Sequence, residues 1–591
     1  MKKRINKHLL VFTGLAILLA AGTAYGIRYG TPLAEEPTVE SAITKETEPI
    51  LTSAAAGEEQ IQIHLQQNGT TVTGTGASVT GNTVTISRGG TYFLSGTLDD
   101  GQIYVDVGSN ENVYLLFSGI NISNTSDAAV YIKNAENTII VLTDGTDNRL
   151  QSGNAAEMNT VDDSEDKNSS GAALYARDNL SVTGTGTLEV FGYINNGIHT
   201  TNHLNIESGM IFVEARNNGL KGKDSVNISG GDFSIVSGGD GIKSDDTTGE
   251  GYGLISITGG TFSIDSKSDA VQAETTLDIS GGVFSVVSGD GSENVIFSSE
   301  KGWGSPDSGW DISDESETST KGFKCGVEMR ITGGDFFVNS RDDAFHSNGS
   351  VRITGGTFDI ASGDDGIHAE TELTIEDGNV QITKSYEGLE GNQILVSDGE
   401  ISVTASDDGI NAYGGKSRRG RGSSGKTSEE MPDLKITGGT VFVNAAGDGL
   451  DSNGDLIIEG GVVIIDGPSD SWNGALDSGS ENGGICAVNG GTVLAIGSSG
   501  MAEAFDESSG QFSFRHNFDT SFVSGDEIEV TDKQGNVLIK YVAAKEGNSV
   551  VFSCPELAYG ESYILNAGDQ SVDITLSSKS TKSGRSGRGH W

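Results

Sequence analysis

The chain has little cysteine, little proline and little positive charge. Its three cysteines, Cys325, Cys486 and Cys554, are odd in number and far apart, which excludes a disulfide framework. Cys325 stands where other repeats carry Ala369 and Ala412, and reads as a small buried hydrophobe. Proline numbers 7 beside 86 glycines, a balance that excludes a collagen-like chain or a Pro-rich linker and suits many tight turns. Lys and Arg total 37 against 83 Asp and Glu, for a formal net charge of −46. Such a surface repels nucleic acid and attracts divalent cations. Also missing are a Ser/His/Asp order, a phosphate-cradling loop between strand and helix, and Cys/His zinc spacing.

What is present is a repeat. KGFKC at 321, DAFHS at 343, DGIHA at 365, EGLEG at 387 and DGINA at 408 align on Gly322, Ala344, Gly366, Gly388 and Gly409, with spacings of 22, 22, 22 and 21. One unit holds three short runs of period-2 alternation, GIHA, ELTIE and NVQIT, divided by acidic and Gly-containing turns. Three strands per fixed repeat predict an all-β, right-handed parallel β-helix in which stacking supplies the core. A second column has the same period: Phe233, Phe262, Phe284, Phe336 and Phe358, continued by Val380, Ile401, Val441, Val463 and Val493. It reads as an inward stack. About 14 coils at ~4.8 Å each predict a solenoid roughly 65 Å long.

Along the chain, Lys2, Lys3, Arg4 and Lys7 precede an apolar run from Leu9 to Ile27, with small residues at 22–24. Residues 1–24 read as a signal peptide, with an uncleaved membrane anchor as the alternative, and place the protein outside the cell or on its surface. Residues 25–60 read as a flexible leader, 61–510 as the β-helix, 511–570 as a small antiparallel unit capping it, and 571–591 as a disordered basic tail. Inserts interrupt the period at 154–170, 293–320 and 414–433, the last of them rich in Lys and Arg.

Stacking has chemical consequences. The residue before each small position is acidic at Asp343, Asp365, Glu387 and Asp408, and a second acid precedes three of these, at Asp342, Asp364 and Asp407. Carboxylates ~4.8 Å apart repel by about 3–4 kcal/mol at an effective dielectric of 20, so a run of them calls for cations or raised pKa values. Asp240, Asp342, Asp343, Asp364, Asp365, Asp407, Asp408 and Asp448 are therefore the candidate calcium ligands. The plainer reading is that Asp before Gly is ordinary turn chemistry. The outward strip carries His199, Lys221, Lys243, Lys324, His346 and His368, followed by Glu390, Asn411 and Asp451. It is either a solvated strand face or the floor of a groove for a long polar ligand. Trp303 and Trp310, on an insert, are suited to stack on sugar rings or to anchor their loop.

With these residues laid out, VYLLFSGINISN, NTIIVLTDGTDNRL, GALYARDNLSVTGTGTLEV, NNGIHTTNHLNIESG and the SGGDGIKS and SGDDGIHAETELTI units resemble the bacterial extracellular carbohydrate-binding-domain family of right-handed parallel β-helices, typified in a cellulose-degrading clostridium. The resemblance spans roughly residues 90–565. It implies binding of cellulose-like and acidic, pectin-like polysaccharides, with calcium held among the DDG and GDG acids in a manner similar to pectate lyases, and no established catalysis. EGLEG at 387 departs from the DGI pattern. Two other functions remain open. A calcium-dependent polysaccharide lyase would use Lys221, Lys243 or Lys324 as a base of lowered pKa. A structural stalk or adhesin would need no glycan site.

Overall fold

The computed structural model describes residues 61–157, 171–295, 318–413, 433–480 and 483–585. The expected signal peptide and leader, the basic insert, Trp303 and Trp310 lie outside the described residues. Apart from one 3₁₀ turn at Ala155–Glu157, the described secondary structure is all strand.

Each coil is built from three strands of different length. In one coil these are Ile198–Thr200, His203–Ile206 and Met210–Ala215; in the next they are Leu220–Gly222, Ser225–Ile228 and Asp232–Ser237. Every strand pairs in parallel with its counterpart one turn on, as in Ile198↔Leu220, Leu204↔Val226 and Ile211↔Phe233. The expected parallel coil is thus the observed fold. The short strand runs from Gln102–Asp106 to Leu476–Ser478 through thirteen successive parallel pairings, with a register irregularity only after Val105 in the first.

Period-2 alternation sends one residue in and the next out, and the apolar positions fill the interior. Phe323, Phe345, Ile367, Leu389 and Ile410 are all fully buried. The Phe column stacks as its spacing predicts. Phe233, Phe262, Phe284, Phe336 and Phe358 lie in register with successive centroids 4.7, 4.7, 4.9 and 4.7 Å apart and planes within 7° of parallel. Phe323 and Phe345 form a second stack with centroids 4.8 Å apart, edge-on to the first. Cys325 is buried at the same register position as Ser347 and Ala369.

Glycine serves two different ends here. In the GG turn before the long strand, Gly334 has φ 117°, the left-handed region that an L side chain avoids. Gly366 in the small column needs no unusual φ; a Cβ there would meet the Gly388 carbonyl oxygen at 2.6 Å.

Both ends differ from the middle. Ile61–Leu65 pairs antiparallel with Thr71–Thr73, and Ala77–Thr80 with Thr83–Ile86, so hairpins lead into the coil. At the other end, Gly547–Ser553 pairs antiparallel with Thr492–Gly497 of the last coil and covers its open edge. A separate four-stranded antiparallel sheet follows the order Val537–Val542, Glu527–Asp532, Ser562–Ala567, Gln570–Thr575. Its first turn is at 533–536 as expected, with the Gln534 and Asn536 amides donating to Asp532 Oδ1 at 2.9 and 2.8 Å. The reading of a disordered tail from 571 needs correction. Gln570–Thr575 and Ser580–Gly584 are strands, the second in parallel register with Ser513–Phe522. Sheet pairing orders this Ser- and Gly-rich sequence despite its polar composition.

Candidate functional site

The turn before each short strand carries a polar ladder that begins earlier than the acids suggest. Asn196, Asn218, Asp240 and Asp269 occupy the same place in successive coils, and all are buried. The Oδ1 of each accepts the backbone N–H of the equivalent residue one coil on. Asn196 takes Asn218 N at 3.1 Å, Asn218 takes Asp240 N at 3.0 Å, Asp240 takes Asp269 N at 3.1 Å and Asp269 takes Lys321 N at 2.8 Å. Asp343 and Asp365 repeat the pattern toward Asp365 N and Glu387 N, at 3.1 and 3.3 Å. Asp408 and Asp448 repeat it toward Asp448 N and Gly474 N, at 2.6 and 2.5 Å. Apart from Glu387, whose Oε2 accepts from Asn411 Nδ2 at 2.9 Å, the acids before the small position are therefore inter-coil clamps. Each satisfies a turn donor that the strand ladder leaves over.

A second coil breaks the rule. Its ladder position is Lys321, which has no acceptor, and the Asp343 N–H turns instead to Asp342 Oδ1 at 2.9 Å. The Lys321 ammonium sits between Asp342 Oδ1 at 2.8 Å and Asp343 Oδ2 at 2.7 Å. Burial would lower the Lys321 pKa, but these two carboxylates raise it.

The second carboxylate oxygen usually meets the outward residue three positions on. Asp240 pairs with Lys243 at 2.7 Å, Asp343 with His346 Nδ1 at 2.7 Å and Asp365 with His368 Nδ1 at 3.0 Å. His368 Nδ1 also lies 2.8 Å from Glu390 Oε2. The strip expected to face solvent is consequently recessed, with His346 and Asn411 buried and Lys324, His368 and Glu390 only partly exposed.

Electrostatics change sign of compensation along the axis. Burial would raise Asp343, but Lys321 and His346 hold it well below the usual carboxylate range. Burial, together with Glu390 and Asp364, raises Asp365 well above it. Burial also opposes protonation of His368, yet Glu390 and Asp343 lift its pKa to about 9. Further on, burial and the neighbouring Asp477 and Asp451 push Asp448 to about 8, against the Gly474 N–H. Burial, Asp407 and Asp448 raise Asp408 as well.

Of the eight acids expected to hold metal, the structure gathers five into two compact all-carboxylate groups. One is Asp342, Asp343 and Asp364; the other is Asp408 and Asp448 with Asp451, and within each group one oxygen per residue lies within 4.8 Å of the others. Asp365 falls instead into a mixed group with His368 and Glu390, and Asp343 is shared with His346 and His368. Asp240 is engaged by Lys243, and neither it nor Asp407 joins a group. Among the strip residues, Lys221 pairs with Asp245 at 2.6 Å and Lys324 lies 3.6 Å from Asp269. His199 is nearly enclosed, and burial with Lys221 beside it lowers its pKa to about 4.

Sequence reading missed Asp451 as a partner of Asp408 and Asp448, and missed Lys321 as the internal cation. It also began the strip too late. Tyr104, Tyr131 and Tyr175 continue the His199 position through three earlier coils, with ring centroids 5.4, 5.3 and 5.2 Å apart. The tyrosine in YV, VYI and LYA at one register position was the signal.

Residues 80–366 match the family described as carbohydrate-binding domain-containing protein. The match takes in just under half of the chain. A carbohydrate-binding domain-containing protein of Acetivibrio thermocellus is 44% identical over 140 residues, 24% of this chain and 48% of that protein. The chain thus spans about half the length of that curated relative. A solved structure, a gadolinium derivative of a polysaccharide lyase-like protein from C. thermocellum, is 39% identical over 37% of this chain and 89% of that one, with a TM-score of 0.35. The matched stretch covers the tyrosine row and the ladder from Asn196 to Asp365, starts after the first hairpin, and ends before the all-carboxylate group at Asp408.

Proposed function

We propose that the chain is a secreted or cell-surface, non-catalytic polysaccharide-binding protein that uses calcium to hold acidic, pectin-like glycans and also accepts cellulosic ones. The observation that carries the calcium part is the group Asp408, Asp448 and Asp451. It is made of oxygen ligands alone, and two of its carboxyls are pushed up by burial and by one another. Hard oxygen ligands suit calcium, and a dication there relieves the repulsion. An acidic chain and an acidic glycan repel, so a bridging cation also supplies the attraction.

The lyase alternative fares worse on one point. A catalytic lysine base needs a lowered pKa, whereas Asp240 beside Lys243 raises it against burial, and Lys221 is tied to Asp245 at 2.6 Å.

The test is binding to polygalacturonate and to cellulose, with and without chelator, alongside an absorbance assay for unsaturated products. Chelator and the double change Asp448→Asn with Asp451→Asn should each abolish polygalacturonate binding, with no absorbance rise. Binding that survives both treatments would refute the calcium bridge. Binding weakened only by salt would assign the attraction to the basic residues of the strip.

A further inference from the structure

We propose that Asp343, His346 and His368, with Asp365 and Glu390 beside them, form a site for a divalent transition-metal ion of the zinc, cobalt or nickel class. The inference stands apart from the glycan reading and from calcium, because imidazole nitrogen is the wrong ligand for calcium and a good one for these ions.

The first support is geometry. One ligand atom from each of Asp343, His346 and His368 lies within 4.8 Å of the other two, and the same holds for Asp365, His368 and Glu390. Ligands ~2.0–2.2 Å from a tetrahedral ion stand about 3.3 Å from each other, so the side chains need to move by little more than an ångström. Three successive coils supply the groups, since His346, His368 and Glu390 are in direct register on the short strand. The backbone therefore fixes their spacing before any ion arrives.

The second support is the hydrogen bonding of the rings. His346 Nε2 lies 2.9 Å from the side-chain oxygen of Asn348, which only accepts, so Nε2 carries a hydrogen. That leaves Nδ1 aimed at Asp343 Oδ2 at 2.7 Å. A nitrogen lone pair and a carboxylate oxygen at that distance repel unless something positive lies between them, either a proton or a metal. A metal-bound histidine held by an acceptor on its other nitrogen is the usual outer-shell arrangement. His368 offers the same Nδ1 edge to two carboxylates, and its buried Nε2 makes no hydrogen bond, with Glu370 Oε1 3.9 Å away.

The third support is charge. Asp342, Asp343, Asp364, Asp365 and Glu390 crowd around these rings, and the Lys321 ammonium is shared between Asp342 and Asp343, its contact on Asp343 falling on the same Oδ2 that faces His346 Nδ1. A bound ion would take the place of any hydrogen between each Nδ1 and its carboxylate, so binding should release protons.

The test is a titration of the untagged full chain with Co²⁺, read by visible absorption, proton release and thermal midpoint. One equivalent should bind with ligand-field absorption and proton release, raise the midpoint, and resist displacement by millimolar Ca²⁺. His346→Gln and His368→Gln should each lose the absorption, while His64→Gln, on an exposed strand position, keeps it. If either histidine variant fails to fold, Glu390→Gln takes its place and should weaken Co²⁺ binding by about tenfold or more. Absence of the absorption at one equivalent would overturn the proposal. So would its survival in both histidine variants, ready displacement by Ca²⁺, or an unchanged affinity in Glu390→Gln.

Discussion

Replacing Phe336 by alanine tests the logic of the core at its most loaded point. The ring is 1% exposed, stacked between Phe284 at 4.9 Å and Phe358 at 4.7 Å, and met edge-on by Phe323 and Phe345, each at 5.6 Å. Loss of a buried Phe to Ala costs about 3–5 kcal/mol. Each aromatic pair adds about 0.5–1.5 kcal/mol beyond its area. Four pairs are lost at once, and parallel β-sheet on either side keeps the cavity from collapsing, so the upper end near ~5 kcal/mol is expected. Phe337, the next residue on the same strand, is 53% exposed, and its change to alanine should cost no more than about 1 kcal/mol. Because coils contact only their neighbours, the damage should be local. Hydrogen exchange should accelerate in the strands Val283–Ser288, Asp335–Ser340 and Ser350–Ser362 before it does so near Ile211 or Val493. Equal effects of the two substitutions on denaturant midpoint, or uniform exchange along the whole solenoid, would refute the inward assignment of the column and the nearest-neighbour argument together.

Asp448 has a folded pKa of about 8 against an ordinary 3.8, so the folded state holds a proton that the unfolded state has lost, and stability should fall as pH rises from about 5 to 8 in chelator. The slope expected is up to about 1.4 kcal/mol per pH unit; calcium should flatten it, and a thermal midpoint that rises over this range would contradict the assignment. Lys321→Met should destabilise by about 3–5 kcal/mol by leaving buried Asp343 and half-buried Asp342 without their cation, and by more at pH 8 than at pH 5; denaturant titrations at the two pH values measure it. All three cysteines are buried, with Cys325 pushed to about 11 and Cys554 to about 12 by burial, so the native protein should not react with a thiol reagent at pH 8. Prompt labelling of one thiol would show an open coil.

The fold was legible because two columns repeat with one period, and side-chain direction in a strand follows from parity alone. Phe358 at the core and Cys325 in an alanine position needed no more than that. The site was less legible because ladder residues do two jobs. From sequence, Asp365 is an acid before a glycine; in the fold, one oxygen binds the next coil and the other a histidine. Asn196 and Asn218 went unread, since no charge marked them as members of an acidic run. Lys321 stood outside the pattern by residue type, though it occupies the position by register. Which acids converge depends on coil-to-coil neighbours up to 40 residues apart, as with Asp408 and Asp448, where an insert lengthens the interval.

The ladder from side-chain oxygen to next-coil amide gives the solenoid a direction and makes its length adjustable. Every clamp reaches toward the C-terminal neighbour, so a coil that ends in Asn or Asp presents the same acceptor whichever coil follows. Removal of residues 365–386 would bring the Asp343 acceptor to the Glu387 amide, the same joint that Asp365 makes now. Whole turns are interchangeable parts, and a chain built this way can lengthen or shorten in single steps without leaving a buried donor unmet. The coils of Lys321 and Glu387 are the exceptions. Glu387 takes Asn411 in place of the next amide, and the coil of Lys321 keeps its place only with Asp342 beside Asp343, so that turn and its successor must be gained or lost as a pair.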